Sequence, residues 1–150
     1  MGQLDEVFNQ GAAGAEPEPL DEHESFAAIA LALAAADGSV DDIEVENLVT
    51  YLRRMHFFKD FETAHFVRLF ERLFRHLNAN GSKGLIAAAR HKLPDSLRET
   101  AFALALDVAL ADGVIDNAEK ELMADLREVL AISDELALKI TDVMIIKNRG

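Results

Sequence analysis

Cysteine is absent from this chain, which excludes disulfides, thiolate metal sites and cysteine nucleophiles. Long hydrophobic runs are missing as well: the longest, residues 26–36, spans eleven positions. A bilayer-spanning helix needs roughly 20, so this run reads as a buried helix. Residues 1–20 carry Asp5, Glu6, Glu16 and Glu18 in place of the basic start and apolar stretch of a secretory signal. Glu6 stands where a myristoylation motif wants Ser or Thr. Basic charge is in short supply, with a net charge of −12. Neutralisation of phosphates supplies most non-specific nucleic-acid affinity, so no nucleic-acid partner is expected. No Gly-x-Ser-x-Gly elbow occurs, and Gly81-Ser82-Lys83-Gly84 lacks the spacing of a phosphate-cradling loop. The expectation is a cytoplasmic protein that is not an enzyme.

What is present is helical. Half of the 150 residues are hydrophobic, Ala and Leu foremost. A chain of that length fits one domain, which buries roughly 70% of its unfolded surface. Residues 9–20 hold two prolines and two glycines with little apolar mass, so residues 1–20 read as a mobile leader and 21–150 as the domain. Beyond the leader the apolar period is that of a helix, and no stretch alternates long enough to argue a strand. About seven helices are expected. They start near 21, 41, 60, 82, 94, 116 and 133, and Asn78-Ala79-Asn80-Gly81 separates the third from the fourth.

One acidic motif is written twice, 75 positions apart: Ala36-Asp37-Gly38-Ser39-Val40-Asp41-Asp42-Ile43-Glu44 and Ala111-Asp112-Gly113-Val114-Ile115-Asp116-Asn117-Ala118-Glu119. Each copy follows an Ala/Leu-rich helix, and Asp41 and Asp116 are placed to cap the next one with an acid three residues on. An EF-hand is the natural comparison. With Asp37 at loop position 5, residues Gly38, Val40, Asp41 and Glu44 fall on positions 6, 8, 9 and 12. Positions 1 and 3 are then Leu33 and Ala35, or Val108 and Leu110 in the second copy, which cannot coordinate Ca²⁺. Each turn is therefore a half-site. A pseudo-twofold packing would bring Asp37, Asp41, Glu44, Asp112, Asp116 and Glu119 together. Like charges about 6 Å apart repel by roughly 3 kcal/mol at an effective dielectric near 20. Convergence would thus raise carboxyl pKa values or recruit a hard divalent cation such as Ca²⁺, Mg²⁺ or Mn²⁺. A purely structural reading stands beside this one, because Asp-Gly makes a turn and Asp-x-x-Glu caps a helix.

The twin turns, each after an alanine-rich helix, resemble the tellurite-resistance TerB family and the wider TerB-like domains. The resemblance runs from Glu22 to Met144 and is nearer in the second copy, from Asp107 through Leu130 into Ser133-Asp134-Glu135. It implies a compact seven-helix domain with internal pseudo-symmetry and a role in tellurite or other chemical stress. It also implies metal chelation by the motif's acidic positions, here the same six residues.

Other constellations are weaker. His23, His56, His65, His76 and His91 form no close pair, and Glu62-Thr63-Ala64-His65 lacks the second pair a di-iron bundle requires. Six of nine phenylalanines lie within residues 57–74. Phe66, Phe70 and Phe74 recur at helical spacing as a core stripe, with Arg68, Arg72 and Arg75 on another face. Phe57 and Phe58, at a helix junction, are expected to be exposed and available to a partner. Residues 53–92 carry nine basic side chains against three acidic ones, a local excess of +6. The leading expectation is a module that binds a divalent cation through its twin turns. The alternative is a scaffold whose basic segment meets an acidic protein or a membrane surface peripherally, with the turns purely structural. A hydrolase with a carboxylate-held metal is a third reading.

Overall fold

An Ala/Leu-rich helix that is apolar all round has no face to turn to water, so it belongs at the centre of its domain. That is where the first helix lies. The computed structural model describes residues 19–111 and 113–149. Its helices are α1 (Glu22–Ala34), α2 (Asp42–Arg53), α3 (Thr63–Ala89), α4 (Arg98–Ala109), α5 (Asn117–Val129) and α6 (Asp134–Lys147). Short 3₁₀ turns at His56–Phe58 and Asp95–Leu97 join α2 to α3 and α3 to α4. Every residue from Ser25 to Leu33 is buried. The small alanines let neighbours approach on all sides: α1 packs chiefly on α3 and α4 and also touches α2 and α5, while α6 lies on α4. The described residues form one all-helical domain without a strand.

Six helices replace the expected seven because Asn78–Asn80 stay helical. Only Gly81, at φ 71° and ψ −178°, leaves helical geometry, so the third and fourth expected helices are two arms of α3 across a kink. Leu73 on one arm and Leu85 and Ile86 on the other are buried, which anchors both. The helix expected to start near 94 opens instead with the 3₁₀ turn Asp95–Leu97.

The expected leader lies outside the described residues as far as 18, but its last two positions belong to the domain. Leu20 is buried in the core, and the Pro19 carbonyl accepts a hydrogen bond from Arg72 Nη2 at 3.3 Å. Asp21 then caps α1, its Oδ1 accepting from Glu24 N at 2.7 Å while Glu24 Oε1 accepts from Asp21 N at 2.9 Å. The buried Glu24 carboxylate also pairs with Arg72 of α3.

The expectation of exposed Phe57 and Phe58 is corrected. Phe58 is buried and Phe57 half-buried, because the 3₁₀ turn folds both rings over the start of α1. Phe57 stacks on His23 at 4.1 Å, and Phe58 meets Phe61 at 5.0 Å and Phe66 at 5.8 Å. The His23 ring, hydrogen-bonded to the Phe57 carbonyl at 2.9 Å, fixes the turn. These aromatics close one end of the core.

A candidate carboxylate-lined cleft

The two Asp-Gly turns share the hydrogen bond at the glycine and the cap that follows it. At the end of α1, Gly38 N donates to Ala35 O at 2.9 Å; at the end of α4, Gly113 N donates to Leu110 O at 2.8 Å. Gly38 and Gly113 both sit at positive φ, 97° and 87°, a conformation L side chains adopt only at a cost. Asp37 Oδ1 accepts from Ser39 N at 3.1 Å and fixes the first turn. Each turn then delivers a reciprocal cap. Asp41 Oδ1 accepts from Glu44 N at 2.8 Å and Glu44 Oε1 from Asp41 N at 3.3 Å; for Asp116 and Glu119 the distances are 2.8 and 3.0 Å. The carboxylates satisfy N–H groups at the starts of α2 and α5 that have no partner within the helix. The cap uses a single oxygen of each.

The two turns meet. A cleft of about 380 Å³ is lined by Asp37 and Glu44 from the first acidic motif and by Asp116 and Glu119 from the second. Its floor is apolar, made by Leu33, Ala34 and Ala36 at the end of α1 and by Val108 and Ala111 at the end of α4. Of the six acidic positions singled out in the sequence, four therefore border one space. Asp41 caps α2 without lining the cleft, and Asp112 lies outside the described residues. The four carboxylates do not form a coordination sphere. Among the described residues no three acidic or histidine side chains lie close enough together to hold a metal ion. Their chemistry fits a hard cation, while their spacing gives no ready-made cage; Glu44, Asp116 and Glu119 are engaged in caps and Asp37 in its own turn.

The cleft continues into a second hollow of about 400 Å³ that shares Ala34, Glu44, Val108 and Ala111 with it. Asn47, Tyr51 and Arg54 of α2 line this extension. Sequence reading missed them, although Glu44, Asn47, Tyr51 and Arg54 follow one stripe of a helix, three or four residues apart. Another overlooked polar site holds α6 in place. Asp107 is buried on α4, and its Oδ1 accepts from Lys147 Nζ at 3.1 Å and Asn148 Nδ2 at 2.8 Å. That hydrogen bond to Asp107 is the main reason the Lys147 pKa lies above its ordinary value of 10.5.

The remaining candidates separate cleanly. Arg68 and Arg75 are exposed, whereas Arg72 is committed to Glu24 and Pro19 and is not open to a partner. The Glu62–His65 pair is a local cap in which Glu62 N donates to His65 Nδ1 at 2.9 Å. No helix among the described residues is long and apolar enough to cross a membrane. Compared with known proteins, residues 23–140 match the family model described as tellurite resistance protein TerB. No curated protein and no solved structure matches the chain.

Proposed function

The chain belongs to the TerB family, and from that premise we propose a non-enzymatic module that binds a divalent cation between its two Asp-Gly turns. The observation that supports this reading is the single cleft bordered by Asp37, Glu44, Asp116 and Glu119. Four carboxylates around one space in a chain of net charge −12 generate a strongly negative local potential, which a cation relieves. With no three-ligand cluster among the described residues, the ion proposed is one that needs few direct protein ligands and keeps much of its water. Mg²⁺ behaves this way, binding through one or two carboxylates and retaining several waters; Ca²⁺ and Mn²⁺ share the preference for oxygen. The cleft has room for such a hydrated ion, with Asp37 and Asp116 reaching in from opposite turns and Asp112 adjoining them in sequence. A cytoplasmic stress response is the setting this proposal assigns. The scaffold alternative retains Arg68 and Arg75 but loses Phe57, Phe58 and Arg72, so the cation reading ranks first.

A thermal melt tests it. A ligand that binds only the folded state at ten times its Kd stabilises by about 1.4 kcal/mol. For a domain of this size that raises Tm by about 3–6 °C. The rise should appear with Mg²⁺ or Ca²⁺ and not with NaCl of equal ionic strength. Asp37→Asn combined with Asp116→Asn should abolish it, since Asn still caps a helix but carries no charge. An equal rise in that double variant would sink the proposal.

A further inference from the structure

A helix that is apolar on every side belongs inside its domain, as α1 does. The last helix, α6, is apolar on two sides and covered on one. It packs chiefly on α4, with Ala137 buried and Leu136, Ile140 and Met144 half-buried against the core. Seven large hydrophobic side chains are exposed among the described residues, and four of them, Leu138, Val143, Ile145 and Ile146, stand on α6. Leu138, Ile145 and Ile146 follow one stripe, at intervals of seven and eight residues. Within residues 136–149 the exposed Lys139, Lys147 and Arg149 stand against Asp142 alone. The open face is thus apolar with a basic margin, in a chain that is acidic elsewhere.

Such a face calls for an occupant of the opposite pattern, apolar side chains with acidic neighbours. The chain itself carries one. Residues 1–18, which lie outside the described residues, hold four acidic side chains and no basic one. Leu4, Val7 and Phe8 share the spacing of a helix stripe and flank Asp5 and Glu6. Pro19, bonded to Arg72, and buried Leu20 fix where this stretch leaves the domain. From there residues 9–18 reach at most about 33–36 Å. A small domain is roughly 30 Å across, so residues 4–8 can lie on α6. A tether of that length holds them at an effective concentration of about a millimolar, which fills a contact about half the time even at a Kd of about a millimolar. A second copy has no such advantage. It brings another charge of −12, and antiparallel pairing of two α6 helices sets Asp142, in the middle of the stripe, near its own counterpart. We infer that residues 4–8 dock on the open face of α6, with Leu4, Val7 and Phe8 against Leu138, Ile145 and Ile146 and with Asp5 and Glu6 toward the basic margin.

Because the chain has no cysteine, a nitroxide on Gln10→Cys marks one site in the full-length protein. In dilute solution its paramagnetic broadening should remove at least about half of the amide intensity of residues 138–146, in line with half occupancy or more. Leu138→Gln combined with Ile146→Gln alters two exposed positions, so helicity by circular dichroism should hold while docking weakens about tenfold or more. Val7→Gln with Phe8→Gln should have the same effect from the other side of the contact. Broadening centred on α3 around Arg72, where an undocked leader is tethered, would overturn the inference, and so would a pattern that both double variants leave unchanged. Equally strong broadening of α6 in a mixture of nitroxide-bearing and separate isotope-labelled chains would assign the face to a second copy and overturn it as well.

Discussion

Asp41 and Asp116 each cap a helix, but only Asp116 also lines the cleft, and substitutions can separate capping from charge. Both cap through Oδ1, at 2.8 Å from the N–H of Glu44 or Glu119. Asp41→Ala should cost about 1 kcal/mol in urea unfolding, while Asp41→Asn should cost only a few tenths. A carboxylate that mattered only for charge would give equal costs for the two, since both remove it. Arg72 offers a second contrast. Glu24 is buried and Arg72 answers it, so Arg72→Met leaves a buried carboxylate without its cation. Because Arg72 is itself partly exposed, the expected loss is about 2–3 kcal/mol, below the full penalty for breaking a buried pair. Arg68→Met, at an exposed position one turn away, should change stability by less than about 0.5 kcal/mol. Sequence alone placed Arg68, Arg72 and Arg75 on one face and could not tell them apart. What distinguishes Arg72 is a carboxylate 48 residues earlier in the chain, and no local pattern encodes that meeting. The turn caps were legible because their donor and acceptor lie three residues apart.

At the level of elements, the legible features were again local. The alanine-rich α1, the two Asp-Gly turns and the caps of α2, α5 and α6 all follow from spacing and residue type. The break at 78–81 was half-legible. The asparagines suggested a loop, but they remain helical because buried Leu73 and Leu85 hold the arms on either side, and the whole departure falls on Gly81. At φ 71° and ψ −178° that residue occupies a region essentially reserved for glycine. A Cβ there would meet nothing within 4 Å, so the cost of Gly81→Ala is conformational. It should lower stability by about 1–3 kcal/mol. The attachment of α6 depends on Lys147 and Asn148 meeting buried Asp107. The Lys147 pKa is raised, chiefly by that hydrogen bond, so folding favours the protonated amine. Its contribution is fully present below the ordinary value of 10.5 and is lost as pH rises through the higher folded value. Urea unfolding of the parent should therefore show a stability decline above pH 10.5 that Lys147→Met lacks in part. The same slope in both proteins would assign the decline elsewhere.

For the whole molecule, the question raised by the repeat was whether two acidic turns 75 residues apart share a space. They do so because α1 and α4 pack together and both end at one cleft, bringing Asp37 and Glu44 opposite Asp116 and Glu119. Helical periodicity supplied the elements but not their packing, so the sequence showed two half-sites and left their meeting open. The sequence reading also passed over the α2 stripe of Asn47, Tyr51 and Arg54, which lines a hollow together with Ala34 of α1 and Val108 of α4. Phe57 and Phe58 went wrong for a separate reason: a junction looks exposed until a histidine and three further rings are found beneath it. The central claim is that both turns grip one hydrated ion, and residue-resolved NMR during a Mg²⁺ titration at constant ionic strength tests it most directly. The account predicts that residues 37–44 and 112–119 shift together along one saturating curve, and that Asp37→Asn weakens the response of the distant second turn as much as that of the first. Shifts confined to one turn, two curves with different midpoints, or a linear drift without saturation would contradict it.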